Sequence, residues 1–238
     1  MPAPSPPPVV HIDASLDLEG VPVELAVRVL VAGVVPEPRF GREAEVAVTA
    51  GAVAEAGADM VDVSLAPRLI GPAVRAVPVP VAVRVGSGVA AAAAGRAGAA
   101  LLLVPVALLP EVAEALRHAA PSAPPSAHAS RSAPAPASAR RSPALVALVD
   151  DLPGVGEARA AADRAGVPLA FDSSRVSGAV AIAREAAAVA EGCRILRTAD
   201  VRRSRRVAEV MTAILAARRE PGADLSVTPS RPDDEGLR

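Results

Sequence analysis

Acidic residues and arginines gather where short apolar runs of this chain end: Asp62-Val63-Ser64, Arg84, Asp150-Asp151, Asp172-Ser173-Ser174-Arg175 and Arg197-Thr198-Ala199-Asp200. Carboxylates and guanidiniums on one rim can do either of two things. Converging arginines make a fixed fork for a phosphate or carboxylate, or they pair with the neighbouring acids and close the rim. Arg175 and Arg197 are the candidate fork. Asp150, Asp151, Asp62, Ser174 and Arg68 are the further candidates for holding a small anionic ligand. Composition narrows the chemistry more sharply. The chain has no Lys, Asn, Gln, Tyr or Trp, so its 25 lysine-plus-arginine positions are all arginine. That removes Schiff bases, a P-loop lysine, a carboxamide reading a heterocycle edge and any indole or phenol platform.

Residues that act at strand ends need a sheet to hold them, and the apolar pattern supplies one. Apolar runs at 27–35, 60–63, 79–85, 100–104, 145–149, 167–171 and 193–197 read as short buried strands. Between most of them lie helical spacings that stop at Gly57, Gly98 and Gly166, glycines suited to C-caps. The segment between the second and third runs carries Pro67 and Gly71 and reads as a loop. The last helix, 204–219, places Val207, Val210, Met211, Ile214 and Leu215 on one stripe expected to face a core, with Asp200 positioned to cap its start. Strands this short, each followed by a helix, predict a parallel sheet with right-handed crossovers. The fold class expected is α/β: a (β/α)8 TIM-type barrel, complete or short of a strand, with a doubly wound sheet as the alternative. In either fold the chemistry sits at the C-terminal strand ends, where the acids and arginines are.

Low-complexity stretches bound the barrel. Residues 1–20, Pro-rich at their start, are expected to be a disordered tail, as are residues 220–238. The Ala/Ser/Pro stretch 120–143 is expected to be a disordered insert within a barrel domain spanning 21–219. A formal charge of −1 and two phenylalanines give no general attraction for nucleic acid and little for bases to stack on. No run approaches the ~20 apolar residues of a membrane span. Cys193, the single cysteine, lies in an apolar run and reads as a buried inert thiol, which fits a reducing cytoplasm. Gly86-Ser87-Gly88 lacks the acidic residue a dinucleotide loop requires and reads as a turn. Arg202-Arg203-Ser204-Arg205-Arg206 opens the last helix, where positive charge opposes the dipole and calls for a nearby anion or acidic partner; a solvated face is the alternative. The three histidines have no metal-ligand spacing.

Five segments, in order, resemble dihydropteroate synthases. Val31-Ala32-Gly33-Val34-Val35 with Pro38-Arg39-Phe40 is similar to M-G-V-L-N-V-T-P-D-S-F, and Gly57-Ala58-Asp59-Met60-Val61-Asp62-Val63 to G-A-D-I-I-D-V. Gly98 to Val104 falls where that family has G-A-D-I-I-N-D. The stretch Val167 to Ser177 resembles P-V-L-V-G-T-S-R-K-S, and Gly192 to Val201 resembles G-A-R-I-x-R-V-H-D-V. The resemblance implies a pterin-binding barrel that condenses a dihydropterin diphosphate with p-aminobenzoate, assisted by Mg2+. It also implies that strand-end Asp and Asn hold the pterin edge, that a Lys contacts the pterin, and that an Arg/His pair holds the diphosphate side. This chain departs from that pattern. The first-loop Asn is absent, the third-strand Asp is Arg84, and the fourth-strand Asn and Asp are Leu103 and Val104. The Lys is Val176 and the His is Ala199. The resemblance leaves Asp62, one of Asp150 or Asp151, Ser174, Arg175, Arg197 and Arg68 in place.

The function expected is therefore that of a divergent member without synthase turnover, retained as a binding or partner protein. The alternative is an active transferase of folate biosynthesis. No cofactor is expected unless transferase activity is retained, in which case Mg2+ is implied. A ligand would be small and anionic, like a pterin diphosphate. A homo-oligomer or a protein partner is compatible with the sequence, and neither nucleic acid nor membrane is expected.

Overall fold

The computed structural model describes residues 15–18, 21–25, 28–36, 43–64, 67–119 and 143–218. Among them, nine strands and seven α-helices follow one another in an almost strict βα alternation. The strands β1 (Ser15–Leu18) and β2 (Val21–Glu24) pair antiparallel as a hairpin. The remaining seven run parallel and close on themselves: β3 (Leu30–Val34), β4 (Met60–Asp62), β5 (Val81–Arg84), β6 (Leu101–Pro105), β7 (Ala144–Val149), β8 (Leu169–Asp172) and β9 (Ile195–Thr198). Closure is made by β3 against β9, with Leu30 opposite Ile195 and Gly33 opposite Thr198. A closed ring removes the doubly wound alternative, because such a sheet has two edges.

All seven apolar runs read from the sequence are barrel strands, and the seven pair in sequence order without an eighth among the described residues. The period of two explains why they are apolar on both sides. Leu30, Ala32, Met60, Ala82, Leu101, Leu103, Ala170 and Ile195 fill the lumen, while Val31, Val61, Val83, Leu102, Phe171 and Leu196 face the helices. Leu25, just past the hairpin, is buried in the lumen cluster and extends its filling. Of the expected low-complexity segments, residues 1–14, 120–142 and 219–238 lie outside the described residues. The expected 1–20 tail overlaps β1, where Leu16 and Leu18 alternate with polar neighbours over only four residues.

The helices are α1 (Glu43–Glu55), α2 (Pro67–Ala76), α3 (Gly88–Arg96), α4 (Leu109–Ala119), α5 (Val155–Ala165), α6 (Gly178–Ala190) and α7 (Val201–Ala217). Gly57 (φ 98°), Gly98 (φ 100°) and Gly166 (φ 65°) follow α1, α3 and α5 in the left-handed region, as their positions in the sequence predicted. Two expectations need correction. The segment read as a loop is helix α2. Pro67 is its first residue, where a missing N–H costs nothing, and burial of Leu69, Ile70 and Ala73 outweighs the bond lost at Pro72. The stripe on α7 is only partly core. Val207 is buried, but Val210 and Ile214 are 59% and 37% exposed, because α7 packs on β9 and β3 through a narrower face than five residues require.

Candidate functional site

With inward-facing residues at every second position, the layer beyond the lumen core is set by register. Asp62 follows Met60, Arg84 follows Ala82, Asp172 follows Ala170 and Arg197 follows Ile195, each two residues on. All four point into the barrel mouth at the C-terminal strand ends. Two acids and two arginines share it.

They are joined to each other. Arg197 Nε donates to Asp62 Oδ2 at 2.6 Å, and its Nη1 donates to Asp172 Oδ2 at 2.8 Å and to Ser174 Oγ at 2.8 Å. Arg84 Nη1 reaches Asp172 Oδ2 at 3.5 Å. The other carboxylate oxygens are taken as well: Ser64 Oγ donates to Asp62 Oδ1 at 2.7 Å, and Ser174 donates to Asp172 Oδ1 from its hydroxyl at 2.6 Å and its amide at 3.0 Å. Asp62 is fully buried and Arg197 is 6% exposed, so the guanidinium is a clamp held across the mouth rather than a free arm. In a low-dielectric setting such charge-assisted bonds are strong and each partner depends on the other.

The electrostatics follow from burial first. Burial pushes the Asp62 carboxyl above the ordinary carboxylate range, more than the Arg197 charge and the Ser64 hydroxyl pull it down. Burial also raises Asp172, but the Ser174 hydroxyl and Arg197 outweigh it and hold that group below its usual range. Arg197 loses protonation by burial and more than regains it from Asp62 and Asp172, so it stays charged.

Behind the mouth lies a second polar cluster that the sequence did not reveal. Glu185 of α6 is fully buried, and its Oε1 accepts from Ser173 Oγ, from Ser204 Oγ at 2.7 Å and from Arg203 Nη2 at 3.1 Å. Ser173 N in turn donates to Arg197 O at 2.8 Å, so α6 and α7 are tied through Glu185 to the strand that carries the clamp. In sequence Glu185 is one acid among the alanines of an amphipathic helix. Its only signal is that it lies four residues from the buried Ala181.

The structure brings Asp62, Ser174 and Arg197 into one cluster and leaves the other sequence candidates outside it. Arg175, Asp150, Asp151 and Arg68 are exposed, and no hydrogen bond or ion pair joins them to the mouth group among the described residues. Asp200 is not a mouth partner either: it caps α7, accepting from Arg203 N at 3.2 Å. Asp172 and Arg84 complete the cluster in their place. Asp172 stands where the motif P-V-L-V-G-T-S-R-K-S has glycine, so this chain has a carboxylate where the motif has no side chain. Leu103 and Val104, at the motif's Asn and Asp, are both fully buried. Cys193 is buried and its thiol is pushed up to about 12 by that burial. Among the described residues no three His, Cys, Asp or Glu side chains gather to hold an ion, and the two mouth carboxylates are already bound by Arg197 and serines, so this donor set does not fit Mg2+. No helix among the described residues is long and apolar enough to cross a membrane.

No protein-family model matches the sequence, and no curated protein matches it. Solved structures do. The dihydropteroate synthase of Yersinia pestis is 14% identical with a TM-score of 0.54, over 86% of this chain and 99% of that one. That of Xanthomonas albilineans, in complex with 7,8-dihydropteroate, is 20% identical with a TM-score of 0.55, over 85% and 99%. The Burkholderia cenocepacia enzyme, complexed with the same compound, is 18% identical with a TM-score of 0.55, over 87% and 99%. At such identities the likeness is one of fold: the chain shares the closed parallel β/α barrel architecture of these synthases.

Proposed function

We propose that this protein is a divergent dihydropteroate-synthase-like barrel without synthase turnover, retained as a binding or partner protein. The observation that carries this reading is the Arg197 clamp. A pterin edge needs free acceptors, yet both oxygens of Asp62 are engaged, one by Ser64 and one by Arg197. A ligand reaching Asp62 must first displace a buried guanidinium and then supply a counter-charge for it. Leu103, on the lumen side, adds no acceptor, Val104 faces the helices, and each polar ligand atom left unpaired costs about 1–3 kcal/mol. The missing Lys, Asn and His of the resembling motifs point the same way.

A small anion meets Arg175 and Arg68 at the exposed rim, and it gains Arg197 only if the clamp opens. The mouth donors do not suit Mg2+, so no step is routed through a metal. A single buried cysteine suits a reducing compartment, and we assign the protein to the cytoplasm. Two of the similar enzymes are complexed with 7,8-dihydropteroate, which makes pterins the first ligands to try here.

The deciding experiment is complementation of a bacterial strain lacking its dihydropteroate synthase. The expected result is no growth without supplied folate end-products. Growth at a normal rate overturns the reading and makes the protein an active transferase with a rearranged site. Calorimetry with dihydropterin diphosphate, with and without p-aminobenzoate, separates loss of binding from loss of turnover.

A further inference from the structure

The outer faces of α6 and α7 carry most of the uncovered apolar surface. Val180, Ile182, Val210 and Ile214 are 62%, 45%, 59% and 37% exposed, and they are four of the six exposed large apolar side chains among the described residues. Ile182 and Ala186 of α6 and Val207, Val210 and Met211 of α7 line a groove of about 270 Å3 between the two helices, with Arg203 and Arg206 beside them. An apolar surface rimmed by polar groups marks a contact site. The two arginines differ. Arg203 is committed inside the protein, donating from Nη2 to Glu185 Oε1 at 3.1 Å and to Thr198 Oγ1 at 3.2 Å. Arg206 is exposed and has no hydrogen bond or ion pair among the described residues, although Glu209 stands three residues further along α7. Arg206 and Val210 are four apart, so the guanidinium shares a helix face with the apolar lining, one turn before Val210. The groove thus has apolar walls and one unanswered cation at its edge.

We propose that this groove is a binding site for a free carboxylate with an apolar tail, the tail lying between α6 and α7 and the head on Arg206. Charge decides the head. One guanidinium answers one monoanion, and a carboxylate meets its planar fork with two parallel bonds. The walls decide the rest. Ile, Ala, Val and Met side chains offer no partner to a peptide N–H or C=O, so an extended peptide would leave polar groups unpaired there, whereas a hydrocarbon chain leaves none. Met211 adds an unbranched, adaptable surface that moulds to such a chain. Size sets the length: at about 30 Å3 for each water-sized group, 270 Å3 holds a tail of about eight to ten carbons. An inorganic phosphate gains nothing from these walls. The groove lies outside the barrel, so what it binds does not depend on the mouth.

The test is calorimetry of the full chain at pH 7 with sodium octanoate, and with octanol and inorganic phosphate as comparisons. The expected result is a single saturable site for octanoate, half-filled at about 1 mM or below, with octanol about tenfold weaker and phosphate unable to compete. Arg206→Gln and Val210→Asp should each weaken octanoate by about tenfold or more, while Arg175→Ala at the barrel rim leaves it unchanged. Both groove positions are exposed, so the variants keep the fold, which a thermal melt of each checks. Four results overturn the proposal: no saturable binding up to about 10 mM octanoate, binding that both groove variants leave unchanged, octanol binding as tightly as octanoate, or a full-length dimer that dissociates on Val210→Asp, which would make a second copy the occupant.

Discussion

Removing the clamp is the most informative perturbation of this barrel. Arg197→Ala deletes the guanidinium that answers two carboxylates, Asp62 at 2.6 Å and Asp172 at 2.8 Å, with Asp62 fully buried. Asp172 keeps Ser174 and the more distant Arg84, but Asp62 keeps only the Ser64 hydroxyl. Taking one partner from a buried pair costs about 3–5 kcal/mol, because the survivor is left charged in a poor solvent. For a chain of this size each kcal/mol lowers Tm by about 2–4 °C, so the variant should melt about 6–20 °C below the parent. Thermal unfolding at pH 7, with and without phosphate or diphosphate, is the assay. A control separates charge from packing: Asp62→Leu/Arg197→Met replaces the pair by apolar groups of similar size and should lose much less than Arg197→Ala, since such exchanges are neutral or stabilising. If Arg197→Ala melts with the parent yet loses an anion-induced rise in Tm that the parent has, the arginine is a ligand arm and the clamp reading is wrong.

The pH dependence has opposite signs at the two acids. Asp62 is raised in the folded protein, so between the ordinary carboxylate value and its folded value the native state holds a proton that the unfolded chain lacks; stability falls as pH rises through that window, and Asp62→Asn should flatten this slope of Tm against pH. Asp172 is lowered, so its contribution is present above the ordinary carboxylate value and lost as pH falls through its folded value, a loss that Asp172→Asn should remove. Glu185→Ala strands the buried donors of Ser173, Ser204 and Arg203 and should cost about 3–5 kcal/mol in denaturant melts, against under about 0.5 kcal/mol for the exposed Glu209→Ala. Gly51→Ala meets nothing within 4 Å inside α1 and should stabilise by about 0.5–1 kcal/mol. Gly33→Ala, by contrast, would set a methyl 2.3 Å from Val53 Cγ1 and 2.7 Å from Val201 Cγ2. It should destabilise by about 1–3 kcal/mol in the same melts. Cys193 should resist alkylation in the native protein at pH 8 and react only on unfolding, because burial pushes its thiol up to about 12.

The barrel was legible because a parallel strand buried on both faces leaves an unmistakable trace, a short run rich in Val, Leu and Ala between helical spacings. Left-handed glycines marked three helix ends for the same reason: only a residue without Cβ takes that conformation cheaply. Where local signals and tertiary burial disagreed, burial won. Pro67, Gly71 and Pro72 argue for a loop, yet three apolar side chains on one face made a helix. The α7 stripe failed in the opposite sense, since periodicity names the apolar face but not how much of it a neighbour covers, and Val210 and Ile214 were left outside.

The site was half legible, and the division has a physical cause. Strand parity alone places Asp62, Arg84, Asp172 and Arg197 in the mouth, because each lies two residues past a lumen side chain. What parity cannot give is partner choice. The sequence offered Arg175 and Arg197 two acids to pair with, Asp172 and Asp200; the fold gave Arg197 the first, added Asp62 from across the barrel, and committed Asp200 to the α7 cap. Arg175, one residue past Ser174, falls beyond the strand and out of the lumen's geometry, so the two-arginine fork the sequence offered is not joined there. Asp172 is the partner that decides what Arg197 is free to do. It gives the guanidinium a second acid inside the protein, besides Asp62. Asp172→Gly removes that acid and leaves Arg197 with Asp62 alone, so a phosphate or diphosphate added to the variant should raise its Tm where it leaves the parent unchanged; no such rise refutes the argument that partner choice closes the mouth.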